Sequence, residues 1–229
     1  MTYRLPAALS DPDDSSTAVR YLRTYYGLDD GRRYTGSSFD DWPGNAEDRF
    51  TADDLVAVSF LSVFVPPIAA RELLAERSTL FARLLSAIGP DHDLVEVSDS
   101  IDSSWPVREL YSALRSLHGV GPTIASKLCA RKRPRLVPVY DSIVARVTDA
   151  SRRQWEPLRL ELRRNDLHDR LVALRTEAGV GDHVSPLRVY DVVTWMEGKD
   201  ADLRPTTPEE QLGAELADSP EEDLPERDT

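Results

Sequence analysis

Residues 117 to 128 read Leu-His-Gly-Val-Gly-Pro-Thr-Ile-Ala-Ser-Lys-Leu, an order suited to holding a phosphate. Gly119 and Gly121 lack a Cβ and so tolerate positive φ, which allows a tight turn between two helices with Val120 inserted between them. Pro122 suits the first position of the second helix, where its missing N–H would have had no partner. The free amides around Thr123 then face outward at the positive end of the helix dipole, where a phosphate oxygen is favoured. Lys127, one turn further along the same face, adds charge. Arg131, Lys132, Arg133 and Arg135 follow at the far end of this helix as candidate phosphate contacts. The bland alternative is an αα-hairpin that only turns the chain, with small Ala125 and Ser126 permitting close helix approach.

The rest of the 229-residue chain must position this segment. A hydrophobic content of 41% supports one core, so one domain with appendages is expected. The net charge of -12 runs against a nucleic-acid partner, because such binding rests largely on neutralising phosphates. That charge is uneven: residues 108–175 hold fifteen Lys or Arg against seven Asp or Glu, and residues 197–229 hold three against twelve. A basic segment between acidic ones fits a local phosphate surface, and it equally fits the solvated faces of helices. One cysteine, Cys129, supports neither an internal disulfide nor a thiolate metal or iron–sulfur site, so the expected chemistry uses no metal and no cofactor. No apolar run reaches membrane-span length and the start lacks a signal-peptide pattern, so a cytoplasmic protein is expected.

Residues 1–50 form a loop-rich aromatic region, punctuated by glycines and expected to pack on the core. A helix starts near Thr51, a suitable N-cap with Asp53 and Asp54 in its first turn, and its apolar residues up to Phe64 predict a buried central helix ending before Pro66. Further helices are predicted after Leu73, over 106–117, at Ile143–Val147, through Leu158 to Leu174, and from Ser185-Pro186 to Met196. No convincing alternating strand is seen, so the class is all-α, with a helical domain over 51–196. Residues 197–229 read as an acidic disordered tail, too poor in large apolar residues to offset the entropy of ordering.

The hairpin segment resembles that of the helix-hairpin-helix DNA glycosylase superfamily of the endonuclease III type. In that family the second helix leads through a Gly/Pro-containing loop to a catalytic aspartate that opens the next helix. Here Pro134, Pro138 and Asp141 stand at the corresponding places. The match spans about residues 110 to 150. Thr123 occupies the position where bifunctional members carry a Schiff-base lysine, so the resemblance implies a monofunctional enzyme. The cluster cysteines are absent, and His118 replaces a frequent proline.

The resemblance implies a DNA partner, contacted through Gly119, Val120, Gly121, Thr123, Lys127, Arg131, Lys132 and Arg133, and a monomeric protein. It assigns Asp141 to oppose the positive charge that develops on deoxyribose as the N-glycosidic bond of a modified or mispaired base breaks. Capping of a helix is an equally ordinary task for that residue. A flipped base needs aromatic walls, for which Tyr140, Trp105, Tyr34 and Trp42 are the candidates, Tyr140 being adjacent to Asp141. Two further readings stay open. One is a non-catalytic hairpin module that clamps DNA, and the other is a protein-interaction domain of the same ancestry.

Overall fold

The computed structural model describes residues 3–150 and 154–203, and every regular element among them is helical. In chain order the α-helices are α1 (Ala7–Ser10), α2 (Ser16–Tyr26), α3 (Ser38–Asp41), α4 (Ala52–Ser59), α5 (Pro67–Arg71), α6 (Ser78–Ile88), α7 (Pro106–Arg115), α8 (Pro122–Lys132), α9 (Ser142–Thr148), α10 (Trp155–Leu162), α11 (Leu167–Ala178) and α12 (Pro186–Leu203). A π-helical turn, Glu72–Glu76, follows α5. No described helix is long and apolar enough to cross a membrane.

Two packing groups share one core. In the first, α12 lies against α2, α9 and α11; in the second, α7 packs on α6 and α8, with α4 against α8. Their starts follow local chemistry. Prolines occupy the first turns of α5, α7 and α8, where φ is already helical and no amide is lost. Thr51 N donates to Asp54 Oδ2 at 2.8 Å, closing the first turn of α4. Gly27 and Gly179 end α2 and α11 in the left-handed region that a Cβ disfavours.

Three boundaries differ from the sequence reading. Within residues 1–50, α2 is a full core helix that buries Ala18, Tyr21, Leu22 and Tyr25, which the aromatic and glycine content had concealed. The helix expected to run to Phe64 ends at Ser59. Residues 60–66 leave it through Ser62, at φ 61, and Phe64 is 77% exposed. Val65 precedes Pro66, which disfavours α geometry there. At the other end, α12 continues past Met196, with Glu197 Oε1 and Oε2 accepting from the amides of Ala7 and Ala8 and Asp200 accepting from Tyr21 Oη at 2.7 Å. The expected acidic tail therefore does not begin at 197, and its portion from 204 onward lies outside the described residues.

Candidate functional site

The turn between α7 and α8 is built around Gly119, not equally around both glycines. Gly119 has φ +74, and a Cβ there would stand 2.8 Å from Pro66 Cγ. Gly121 has φ -78 and ψ 177, ordinary extended backbone at the N-cap, with open space where a Cβ would go. The expected positive φ at Gly121 is thus corrected: one left-handed residue completes this turn. Val120 is buried as expected, its amide donating to Leu117 O at 3.1 Å. Ala125 N donates to Gly121 O at 3.1 Å, so the amides of Thr123 and Ile124 precede the helix's own ladder.

Lys127 departs from the expected phosphate contact. Its side chain turns inward and is 4% exposed. Nζ donates to Leu61 O at 2.7 Å and stands 3.6 Å from Asp141 Oδ2. Burial lowers its pKa, and the nearby carboxylate opposes that shift. Leu61 O is positioned for this bond by the early end of α4.

The basic trio at the end of α8 is corrected more strongly. Arg131, Lys132 and Arg133 are all buried. Arg131 donates to Phe39 O, Trp42 O and Pro43 O, and Lys132 donates to Asn45 Oδ1 and Ala46 O. Both pair with the fully buried Asp54. Arg133 donates to Glu47 O, Leu85 O and Gly89 O, and pairs with Asp48. Segment 39–48 and the end of α6 present carbonyls that no regular element satisfies, and these cations supply the missing donors. They staple the fold and are not available as a phosphate surface. Arg135 does remain partly exposed, ion-paired to Asp93.

Asp141 is the N-cap of α9, with Oδ1 accepting from Ile143 N at 2.8 Å and its side chain 22% exposed. It also lines a cavity of about 290 Å³, together with Lys127, Tyr25, Tyr34, Asp191 and Trp195. Capping and access to a cavity therefore coexist in one carboxylate. Tyr34 stacks on Tyr25 at 5.5 Å and 7°, and meets Trp195 edge-on at 5.5 Å. Segment 60–62 closes another side of the cavity, and Pro66, four residues on, touches Gly119.

Of the four aromatics named as candidates for the wall, Tyr34 alone lines this cavity. Tyr140 lines a separate one with Tyr111 and Trp155. Asp141 has extended backbone, φ -144 and ψ 153, and extended neighbours project to opposite sides. Trp105 packs on Trp155 at 5.2 Å, beside that second cavity. Trp42 packs on Phe60 at 5.3 Å and its Nε1 donates to Asp53.

The sequence reading missed the contribution of α12. Arg188 donates to Asp40, to Tyr25 Oη and to Gly36 O, fixing the aromatic wall from behind. Asp191 accepts from Val139 N at 2.8 Å through Oδ2, while its buried Oδ1 has no hydrogen-bond partner among the described residues. Burial raises the Asp191 carboxyl to about 8, against the pull of Arg188 and the Val139 amide. The available signal was a lone carboxylate inside Val189-Tyr190-Asp191-Val192-Val193.

Fold and site together define an all-helical protein with an aromatic, carboxylate-bearing cavity beside a helix–turn–helix unit. A model described as a family of unknown function, DUF6308, matches residues 18–198, and the chain belongs to that family. No curated protein and no solved structure matches the chain.

Proposed function

We propose that this chain is a DNA-binding protein that acts as a monofunctional DNA N-glycosylase on a modified or mispaired base. The observation that carries the reading is the placement of Asp141 in a cavity walled by Tyr25, Tyr34 and Trp195, with the α7–α8 turn reached through segment 60–66. A base extruded from a duplex stacks between aromatic walls, and Asp141 opposes the positive charge that forms on its sugar. Lys127 Nζ stands 3.6 Å from the Asp141 carboxylate, and Thr123 offers no amine for a covalent intermediate. Phosphates are held by the amides opening α8 instead of by the basic trio. Phe64, exposed two residues beyond the cavity-lining residues 60–62, is suited to fill the space a flipped base leaves in the stack.

The direct test is single-turnover excision from duplexes that each carry one altered base, read by alkali cleavage. Asp141→Asn keeps the cap but removes the charge, so excision of the responsive base falls at least about a hundredfold while DNA affinity is kept. Wild-type rates in that variant would remove Asp141 from the chemistry. The cap bond to Ile143 N favours a second reading, a non-catalytic module that binds DNA through the same turn. Duplex binding without excision from any substrate selects it.

A further inference from the structure

Asp191 combines three features that the proposed reaction does not use. It is 3% exposed, it lines the same cavity as Asp141, and its Oδ1 lacks any partner among the described residues. A buried polar oxygen left in this state carries a desolvation penalty that one ligand hydrogen bond removes. Its other oxygen is already committed to Val139 N, which fixes the orientation of the carboxyl plane. The charged and titratable groups around it are Arg188 and Lys199 on its own helix, Asp40 on α3, Lys127 and Arg131 on α8, Asp141 at the start of α9, and His183 ahead of α12, which with Arg131 lines a further cavity that Asp191 also borders. Arg188 is engaged by Asp40, and Lys127 by Leu61 O and Asp141, so among the described residues the carboxyl has no close ion-pair partner of its own.

We propose that Asp191 reads the extruded base, its Oδ1–H donating to a carbonyl oxygen or an unprotonated ring nitrogen on the edge of the heterocycle. This rests on the glycosylase reading and adds the chemical class of its substrate. A neutral carboxyl is the form that can donate, and burial holds this one neutral below about pH 8. Bases presenting an acceptor to Oδ1 are selected, and those presenting a donor there leave two donors opposed. Asp191 is thus a specificity residue, and Asp141 faces the sugar.

The geometry makes the two obvious substitutions behave differently. In Asp191→Asn the Val139 amide holds the side-chain oxygen, so the NH2 group takes the place of Oδ1 and donates as the neutral acid does. Asp191→Leu fills the space and donates nothing. The probes are duplexes carrying candidate altered bases on 2′-fluoroarabino sugars, which resist cleavage, and a matched duplex with a tetrahydrofuran site that has no base. The ratio of the two affinities isolates what the base contributes. The expected result is that Asp191→Asn keeps the wild-type ratio within about threefold and loses its decline above pH 8. Asp191→Leu loses at least about tenfold of the ratio and keeps tetrahydrofuran affinity.

A ratio that survives intact in a folded Asp191→Leu overturns the inference and leaves the glycosylase reading standing. A ratio lost in Asp191→Asn also overturns it, because the ionised carboxylate would then be the working form, and this arm decides the matter if the leucine variant does not fold. Failure of the wild type to bind even the tetrahydrofuran duplex defeats the glycosylase reading, and the inference with it.

Discussion

The two ends of α8 carry similar side chains to opposite uses. At its start, the Thr123 and Ile124 amides lie ahead of the helical ladder, and one turn on Lys127 reaches a cavity shared with Asp141. At its finish, Arg131, Lys132 and Arg133 are consumed by the carbonyls of residues 39–47, Leu85 and Gly89 and by three carboxylate contacts. Eleven residues of one helix thus separate a site with unspent polar capacity from a region where it is all spent. A basic run in a sequence is therefore not evidence of a basic surface: five of the thirteen described Lys or Arg in residues 108–175 are buried.

The largest expected effect tests the closed end. Asp54→Asn leaves Lys132 and Arg131 with a neutral partner in a fully buried position, and should cost about 3–5 kcal/mol in a urea melt, the scale of breaking a buried ion pair. A loss below about 1 kcal/mol would show that these cations reach water after all. Lys132→Gln should likewise lower stability while leaving the salt dependence of DNA binding unchanged; a slope reduced by about one would return Lys132 to the phosphate surface.

The open end should show the reverse signature. Asp141→Asn is expected to lower excision at least about a hundredfold, near 2.7 kcal/mol in the barrier, with stability altered by less than about 1 kcal/mol. A large drop in melting temperature with excision unchanged would make Asp141 a cap alone.

A smaller effect separates the two regions by pH. Asp191 has its carboxyl raised to about 8 when folded, above the ordinary carboxylate value of the unfolded chain. The stability that comes from keeping it neutral is therefore complete below about pH 4 and is lost as pH rises through about 8. Asp191→Asn does not ionise, so its melting temperature should gain on the wild type as pH rises from 5 to about 8 and level off above that. A constant difference over that range would mean that Asp191 is ionised when folded.

The smallest pair of effects concerns the turn. Gly119→Ala must place a Cβ in left-handed backbone and 2.8 Å from Pro66, costing about 1–2 kcal/mol. Gly121→Ala meets open space at extended φ, and a change within about 0.5 kcal/mol is expected by thermal melting. Equal costs would contradict the one-glycine turn.

These expectations mark what could be read from the chain alone. The helical class, the break at Gly119–Pro122 and the helix opened by Asp141 were legible because they depend on neighbours within a few residues: apolar spacing, a proline at a first turn, a carboxylate at a cap. The turn of residues 60–66 was not, since the largely apolar run from Leu55 to Phe64 looks helical until Lys127 takes the Leu61 carbonyl from across the core. Nor was the fate of the cations, for Lys132 meets Asn45 and Arg131 meets Asp54 from 87 and 77 residues away. Tyr140 and Asp141 are adjacent in sequence, yet they line different cavities, whereas Asp141 and Asp191 lie fifty residues apart and line the same one. Local periodicity fixes which segments coil; which charges are neutralised, and which carboxylates share a cavity, depends on desolvation and partners that exist only after the helices have packed.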